Sequence, residues 1–325
     1  GESPKEAQSP LEKNDHPELD KSELLTLDGI RQYQSLIGAA QWLISLGRFD
    51  IATAVMTMSR FRAAPRQGHM DRLKRIFGYV KRFKSGCIRV RTKEPDYSNL
   101  PDMEFDWAYT VYGRVTEQGP KDVPKPRGKS VVITSYWDAN LYHDMITGRA
   151  VTGVLELLNK TPIDWYTRWQ ATVKTATYGS KFVAGRTAVD RAIDLRLTLR
   201  YLGVPVKGKT IMFTDNQSVF INASLPHSPL KKWHQALSYH RVREAIAAKI
   251  INLFKIHGPK NPADILSKHW GHADVWNTLR PILFWRGDTA KCPRDDQGKA
   301  DKHTKGECQK SNLPGDPRFT MGPAG

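Results

Sequence analysis

Cysteine is scarce in this sequence, and its scarcity excludes two classes of small scaffold. The 325 residues contain only Cys87, Cys292 and Cys308, an odd number without any CxxC pair. A disulfide framework requires paired cysteines, and a zinc knuckle requires closely spaced ligands. We therefore predict neither, and we expect the protein to reside in a reducing compartment.

Long apolar runs are also missing. No stretch approaches the roughly 20 residues that a helix needs to cross a bilayer. The first ten residues, GESPKEAQSP, lack the basic and apolar character of a signal peptide. We expect a soluble protein that is not secreted and has no membrane partner.

Acidic residues are in deficit, which indicates a polyanionic partner. Lysine and arginine total 50 against 33 acidic residues, a formal net charge of +17. Nucleic acid is the leading partner of chains with such a charge. The charge is uneven, because residues 1–28 hold eight acidic and three basic residues, whereas residues 60–93 hold twelve basic residues and one acid.

The basic stretch predicts phosphate contacts. Its bases alternate with aromatic residues, which supply either stacking surfaces for nucleotide bases or a buried core. A solvated basic face above such a core accounts for the pattern as well as nucleic-acid binding does. The predicted phosphate contacts are Arg72, Lys74, Arg75, Lys81, Arg82 and Lys84.

Composition and periodicity divide the chain into six parts. Polar ends offer too little apolar surface to offset the entropy of ordering. Apolar spacings of three and four predict helices, and clustered prolines and glycines indicate a linker. The predicted parts are a disordered acidic tail at 1–28, a basic helical unit at 29–93, a Pro/Gly-rich linker at 94–129, a folded domain at 130–270, its carboxy-terminal extension at 271–287 and a disordered tail at 288–325.

The domain at 130–270 begins with the alternating pattern of β-strands. Three strands joined by tight turns predict an antiparallel meander, and two later strands reached through helices predict parallel additions to it. The predicted strands end near residues 138, 157, 166, 214 and 256, and the main helices are predicted at 177–202, 235–249 and 262–270. This order predicts an α/β fold with a mixed five-stranded sheet flanked by helices.

Three aspartates occupy informative positions in this order. Asp138 ends the first strand, Asp215 ends the fourth, and Asp264 lies in the closing helix. Each alone is explained by a turn or a helix cap, but neighbouring strand ends bring such carboxylates together. Converging carboxylates bind Mg²⁺, and a pair of such ions hydrolyses phosphodiesters. The placement predicts metal-assisted strand hydrolysis.

Several long motifs resemble the Pol proteins of copia-type (Ty1/copia) retrotransposons. Residues 33–55 and 69–86 resemble the segment after the polymerase palm. SYWDANLYHDMITGRAVTGVLELLNKTPIDWYTRWQATVKTATYGS, FTDNQS, SYHRVREAIA and NPADILSKHW resemble, in order, the ribonuclease H domain of that family. The resemblance covers most of residues 30 to 287. It implies a ribonuclease H-like fold that degrades the RNA strand of an RNA–DNA hybrid.

The resemblance also implies roles for individual residues. Asp138, Asp215 and Asp264 match the first, third and fourth metal-binding acids of the family, and His257 is a proton-shuttle candidate. The implied cofactor is Mg²⁺ or Mn²⁺. The predicted contacts to nucleic acid in this domain are Asn216, His240, Arg241 and Arg243, although a plain amphipathic helix accounts for the last three as well.

Two departures from the family alter the prediction. The YxDD motif of the polymerase palm does not occur in these residues, so DNA synthesis is not predicted for them. The family motif TATYGSEF reads TATYGSKF here, which places Lys181 where the second acid belongs. Four carboxylates hold two ions, whereas three carboxylates and an ammonium hold one ion or none. Lys181 is expected to pair with Asp138 and Asp215. The alternative is that it points to solvent while Asp144 or Asp190 compensates.

Two functions remain open at this stage. One is an active ribonuclease H region. The other is a catalytically impaired relative that survives as a nucleic-acid-binding module, either as a decayed copy of the element or as a host-adopted piece of a ribonucleoprotein. Expected partners are an RNA–DNA hybrid or structured RNA, and the missing palm or other retroelement proteins. We expect the protein in virus-like particles in the cytoplasm or in the nucleus.

Overall fold

The computed structural model describes residues 3–279 and 281–283, apart from 89, 102–103 and 231–232. The predicted disordered tail at 288–325 lies outside the described residues, as do Cys292 and Cys308. Most of the predicted helical unit, linker and domain lies inside them.

The predicted helical unit contains three helices, as the apolar spacing indicates. They are α1 (Leu27–Ser45), α2 (Ala52–Ser59) and α3 (Gln67–Arg82). Thr26 caps α1 by accepting a hydrogen bond from the backbone N–H of Gly29. Gly47, at a φ of +103°, turns the chain between α1 and α2, a conformation that favours glycine.

A buried ionic network joins the connection between α1 and α2 to α3. Arg48 donates two hydrogen bonds to Asp50, at 3.0 and 2.8 Å, and a third at 2.9 Å to the carbonyl of Phe83. The hydroxyl of Tyr79 donates to Asp50 at 2.7 Å. Arg48 and Asp50 are almost fully buried, so each charge depends on its partner.

A five-stranded mixed sheet forms the centre of the molecule. Its strands are β1 (Ile133–Asn140), β2 (Val151–Leu158), β3 (Thr161–Trp169), β4 (Thr210–Thr214) and β5 (Ile251–Lys255), in the order β3-β2-β1-β4-β5. The first three pair antiparallel, whereas β4 runs parallel to β1 and β5 runs parallel to β4. The predicted ribonuclease H-like fold class is confirmed.

Alternate residues of the sheet supply two cores. Tyr136, Phe213 and Phe254 face the helical unit, and their neighbours Trp137 and Met212 face the opposite side. The remaining helices are α4 (Thr177–Tyr201), α5 (Gln217–Ser224), α6 (Ala236–Ala247) and α7 (His272–Leu279). Small residues on α4 (Ala184, Gly185, Ala188 and Ala192) let it pack closely on the sheet.

The last helix of the predicted domain is shorter than expected. The helix predicted at 262–270 is a 3-10 helix at Pro262–Leu266, because the Ser267 N–H bonds back to the carbonyl of Asp264, which closes a tighter turn. Within the part of the chain that the structure describes, no helix is long and apolar enough to cross a membrane.

The prediction of a linker at 94–129 is wrong in one respect. Its described residues form no helix or strand, as the prolines and glycines indicate, but the segment packs against the domain. The Tyr97 hydroxyl lies 2.7 Å from the Thr134 hydroxyl, Trp107 is 6% exposed, and Glu117 accepts paired hydrogen bonds from Arg196 and Arg200. Aromatic burial and a two-arginine clamp outweigh the local preference for disorder.

The helical unit also contacts the domain directly, so the segment does not separate two independent units. The rings of Phe49 and Trp165 stack with centroids 5.4 Å apart. The Thr53 hydroxyl donates to the carbonyl of Ile265 at 2.8 Å. One apolar cluster includes residues from α1, α2, α3 and one face of the sheet.

The prediction of a disordered tail at 1–28 is also wrong for the residues that the structure describes. Residues 3–23, the acidic segment, run antiparallel to α3. Leu11 is 1% exposed within the apolar cluster. Gly68 and Gly78 let the segment approach, because a Cβ at either would lie within 2.0 Å of it. Acidic side chains of this segment form ion pairs with basic side chains of α3. Local composition does not reveal such pairs, because the partners are far apart in the sequence.

Candidate functional site

Neighbouring strand ends bring the three predicted aspartates together. Asp138 lies near the end of β1, Asp215 follows β4 directly, and Asp264 lies in the 3-10 helix. One carboxylate oxygen from each lies within 4.8 Å of the others. Because β1 and β4 run parallel, their ends meet at one edge of the sheet. We call this cluster the acid pocket.

A glycine and an asparagine position the turn that carries Asp264. Gly153 pairs with Asp138 across β1 and β2, and a Cβ at Gly153 would lie 2.7 Å from the backbone carbon of Leu266. Only glycine permits this approach. Asn261 donates to the carbonyl of Trp137 at 3.0 Å and caps the turn. The role of Asn261 was not predicted from the sequence.

Lys181 points into the acid pocket. It lies in the first turns of α4 and is 7% exposed. Its ammonium lies 2.8 Å from Asp138 Oδ1 and also contacts Asp215 Oδ1. The predicted ion pairs therefore form. The alternative is wrong, since Asp144 pairs with Arg60 and Asp190 lies on α4 with Arg186 and Arg241.

A second lysine, which the sequence did not single out, also reaches the acid pocket. The ammonium of Lys268 lies 2.8 Å from Asp264 Oδ2. Ser267, next to it, donates a hydrogen bond of 2.5 Å to Asp138 Oδ2. Both residues follow the 3-10 turn directly, so the turn that carries Asp264 also carries its counter-ion.

The carboxyl groups of the acid pocket differ in charge because their surroundings differ. Burial opposes ionisation of Asp138, but the ammoniums of Lys181 and Lys268 outweigh it and lower its pKa to about 2. Burial and the nearby Asp138 raise the pKa of Asp264 to about 7, and they raise the pKa of Asp215 above its usual range. Negative charge is therefore concentrated on Asp138.

The acid pocket does not fit a pair of divalent ions. Asp138, Asp215 and Asp264 are the described residues that could hold such an ion. However, both oxygens of Asp138 and one of Asp215 already contact Lys181 or Ser267. Asp264 Oδ1 is the buried oxygen of the pocket that accepts no hydrogen bond from a described residue. Two divalent ions would have to displace the ammonium of Lys181.

The predicted proton-shuttle candidate lies beside the acid pocket. His257 is exposed in the loop after β5. The next residue, Gly258, borders Asp215, since a Cβ there would lie 3.7 Å from Asp215 Oδ2. The role of His257 remains a prediction.

Most predicted phosphate contacts on α3 are engaged by the acidic segment. Arg72 pairs with Asp15 and Asp20, Arg75 with Glu12, and Arg82 with Glu6. Lys81 donates to the Ser3 hydroxyl at 2.8 Å. Lys74 and Lys84 are exposed. The basic face of α3 is thus largely neutralised within the chain, which weakens the prediction that it contacts phosphate.

The prediction that Arg243 contacts nucleic acid is wrong. Its side chain is 3% exposed and donates to the carbonyls of Asn222 and Leu225, at 2.6 and 2.7 Å. Its guanidinium also lies 4.8 Å from the ring centroids of Trp107 and Tyr239. Arg243 therefore fastens the end of α5 to α6 and to the segment at 94–129.

The other contacts predicted in the domain have intramolecular partners. Arg241 pairs with Asp190 and Glu244. His240 lies 2.7 Å from the Tyr112 hydroxyl and remains exposed. Asn216 caps α5 by accepting from the backbone N–H of Val219 at 2.9 Å. Their contact with nucleic acid remains a prediction.

The chain is similar in sequence to proteins of transposons. The chain is 24% identical over 238 residues to the retrovirus-related Pol polyprotein from transposon TNT 1-94 of Nicotiana tabacum, covering 73% of this chain. It is 30% identical over 107 residues to a putative transposon Ty5-1 protein of Saccharomyces cerevisiae, covering 33% of this chain and 31% of that protein. No protein-family model matches the chain.

A solved structure is similar to part of the chain. The N-terminal ribonuclease H domain of a Mycobacterium tuberculosis protein aligns with 42% of this chain and 91% of its own, at 15% identity and a TM-score of 0.34. The matches to the Pol polyproteins cover most of this chain but only about 15% of the length of each polyprotein. The predicted resemblance to copia-type Pol polyproteins is confirmed, and it covers a segment of those proteins.

Proposed function

We propose that this region binds an RNA–DNA hybrid across the acid pocket and that Lys181 suppresses cleavage of the RNA strand. The observation that supports the proposal is the contact of one ammonium with both Asp138 and Asp215. Ribonuclease H chemistry requires divalent ions at these carboxylates. An ammonium already bound there competes with them for the same oxygens.

Electrostatics supports binding at the edge of the sheet that carries the acid pocket. The register of β1 with β2 and of β2 with β3 brings the end of β1, the start of β2 and the end of β3 to one edge. Arg149, Arg168 and Lys174 lie on or beside these strand ends, and they form no ion pair with a described residue. They are the bases that we propose as phosphate contacts.

The first experiment separates binding from cleavage. Binding of a labelled hybrid is measured by fluorescence polarisation in EDTA at several salt concentrations. Cleavage is measured in Mg²⁺ and in Mn²⁺. The wild type should bind with an affinity that falls as salt rises, and it should cut slowly or not at all. Lys181→Glu, which restores the acid of the family motif, should cut on the order of 100-fold faster.

A matched control tests whether charge reversal alone has this effect. Lys207 lies 2.8 Å from Glu94, at the opposite edge of the sheet from the acid pocket. Lys207→Glu should leave cleavage at the wild-type rate. A wild type that cuts the hybrid as fast as Lys181→Glu would refute the suppression. A hybrid affinity that does not change with salt concentration would refute the phosphate contacts.

A further inference from the structure

Two lysines from different elements supply the acid pocket with positive charge. Lys181 comes from α4, and Lys268 follows the 3-10 turn. Lys181 contacts Asp138 and Asp215, while Lys268 contacts Asp264. Each of the three carboxylates therefore has an ammonium partner. When all three carboxyl groups are ionised, the two ammoniums leave a formal charge of about −1 in the pocket.

Carboxylates this close repel one another, so the folded protein needs positive charge beside them. Oxygens of the three lie within 4.8 Å of one another, and Asp138 is only 3% exposed. Buried like charges repel strongly, and removing one member of a buried ion pair leaves an uncompensated charge. The folded chain therefore depends on whichever cation stands between the carboxylates, whether an ammonium or a metal ion.

The ammonium of Lys181 and a divalent ion are mutually exclusive in this geometry. A divalent ion held by Asp138 and Asp215 would compete with Lys181 for the Oδ1 atoms that its ammonium contacts. The side chain is held at the start of a 25-residue helix whose next residue, Phe182, is fully buried. The helix therefore fixes where the lysine stem begins.

We propose that Lys181 and Lys268 are built-in counter-ions that keep the acid pocket folded without a divalent ion, and that loss of the Lys181 ammonium turns the pocket into a divalent-cation site. This inference rests on the proposed function, which assigns the same ammonium the suppression of cleavage. It goes further, because it states that either the Lys181 ammonium or a divalent ion can stabilise the folded protein. The ligand class is a hard divalent cation, Mg²⁺ or Mn²⁺.

The test measures thermal unfolding without nucleic acid. Wild type, Lys181→Met and Lys181→Glu are compared in EDTA and in Mg²⁺ or Mn²⁺ well above the dissociation constant. The wild type should unfold at the same temperature in each buffer. Both variants should unfold at a lower temperature in EDTA and regain about 5 °C or more with the ions, with the larger gain for Lys181→Glu. Calorimetric titration with Mn²⁺ should show binding to the variants and none to the wild type.

The control is a lysine that lies outside the acid pocket. Lys207→Met removes a lysine paired with Glu94 outside the pocket, so it should show no ion-dependent shift. Equal ion-dependent shifts in wild type and variants would overturn the proposal, as would variants that ions do not stabilise. Variants that fail to fold in either buffer would also overturn it, because metal could then not replace the ammonium. Hybrid binding in EDTA is measured separately, so failure of the proposed function would show there and not in these shifts.

Discussion

Glu156 offers a quantitative test of the side of the sheet that faces α4. It lies in β2 with Ser135 opposite in β1 and Asp164 opposite in β3. The residue is 0% exposed, and neither carboxylate oxygen accepts a hydrogen bond from a described residue. Burial and the negative charge of Asp164 raise its pKa to about 8, against a smaller opposing effect of Arg191. Glu156 is therefore protonated in the folded protein at neutral pH.

The raised pKa has a defined effect on stability. In the unfolded chain the carboxyl group ionises near pH 4.5. Because the folded pKa is higher, the folded state is favoured fully below pH 4.5 and loses stability as the pH rises towards 8. The loss is about 1 kcal/mol at pH 5 and about 4 kcal/mol at pH 8, since each pKa unit corresponds to about 1.4 kcal/mol.

Glu156→Met removes this penalty, because methionine fills a similar volume without an ionisable group. Urea unfolding followed by tryptophan fluorescence at pH 5 and pH 8 gives the free energy of unfolding. The variant should gain about 1 kcal/mol at pH 5 and about 4 kcal/mol at pH 8 relative to wild type. Glu244→Met, at an exposed position of α6, is the control and should change little. A gain that is the same at both pH values would refute the raised pKa.

Two further predictions concern ion pairs elsewhere in the chain. Asp50→Asn leaves the buried guanidinium of Arg48 without its carboxylate. The free energy of unfolding, measured by urea titration, should therefore fall by about 3 to 5 kcal/mol. An unchanged urea midpoint would contradict the buried ionic network. Neutralising three acids of the acidic segment should release bases on α3. Hybrid affinity should then rise several-fold at low salt, and its dependence on salt should steepen by up to about three units in a log–log plot, whereas an unchanged slope would show that α3 does not meet phosphate. The three substitutions are Glu6→Gln, Glu12→Gln and Asp15→Asn.

The sheet and the position of its acids were predictable from the sequence for a physical reason. Strand alternation, tight turns and intervening helices restrict the order in which strands can pair. Once β1 and β4 are parallel neighbours, Asp138 and Asp215 must lie at one edge. The direction of Lys181 followed from the resemblance, because TATYGSKF places the lysine where the family motif has its second acid.

The partners of the charged surfaces could not be predicted in the same way. Local composition of residues 1–28 indicates disorder, yet their acids pair with bases more than fifty residues away on α3. Lys268 and Ser267 enter the acid pocket only because Gly153 lets the 3-10 turn pack against β2. Such contacts depend on distances between elements, which a single sequence does not contain.

The formal charge of +17 already counts the acids that pair with bases inside the chain, so the excess positive charge lies on bases without an acidic partner. Ammoniums of Lys181 and Lys268 are committed to the acid pocket, and most bases of α3 are committed to the acidic segment. If a hybrid binds, its phosphates must meet bases that the fold has not already neutralised. Arg149, Arg168 and Lys174 meet this condition and lie at the edge where the carboxylates converge, so we propose that a hybrid binds at the acid pocket rather than along α3.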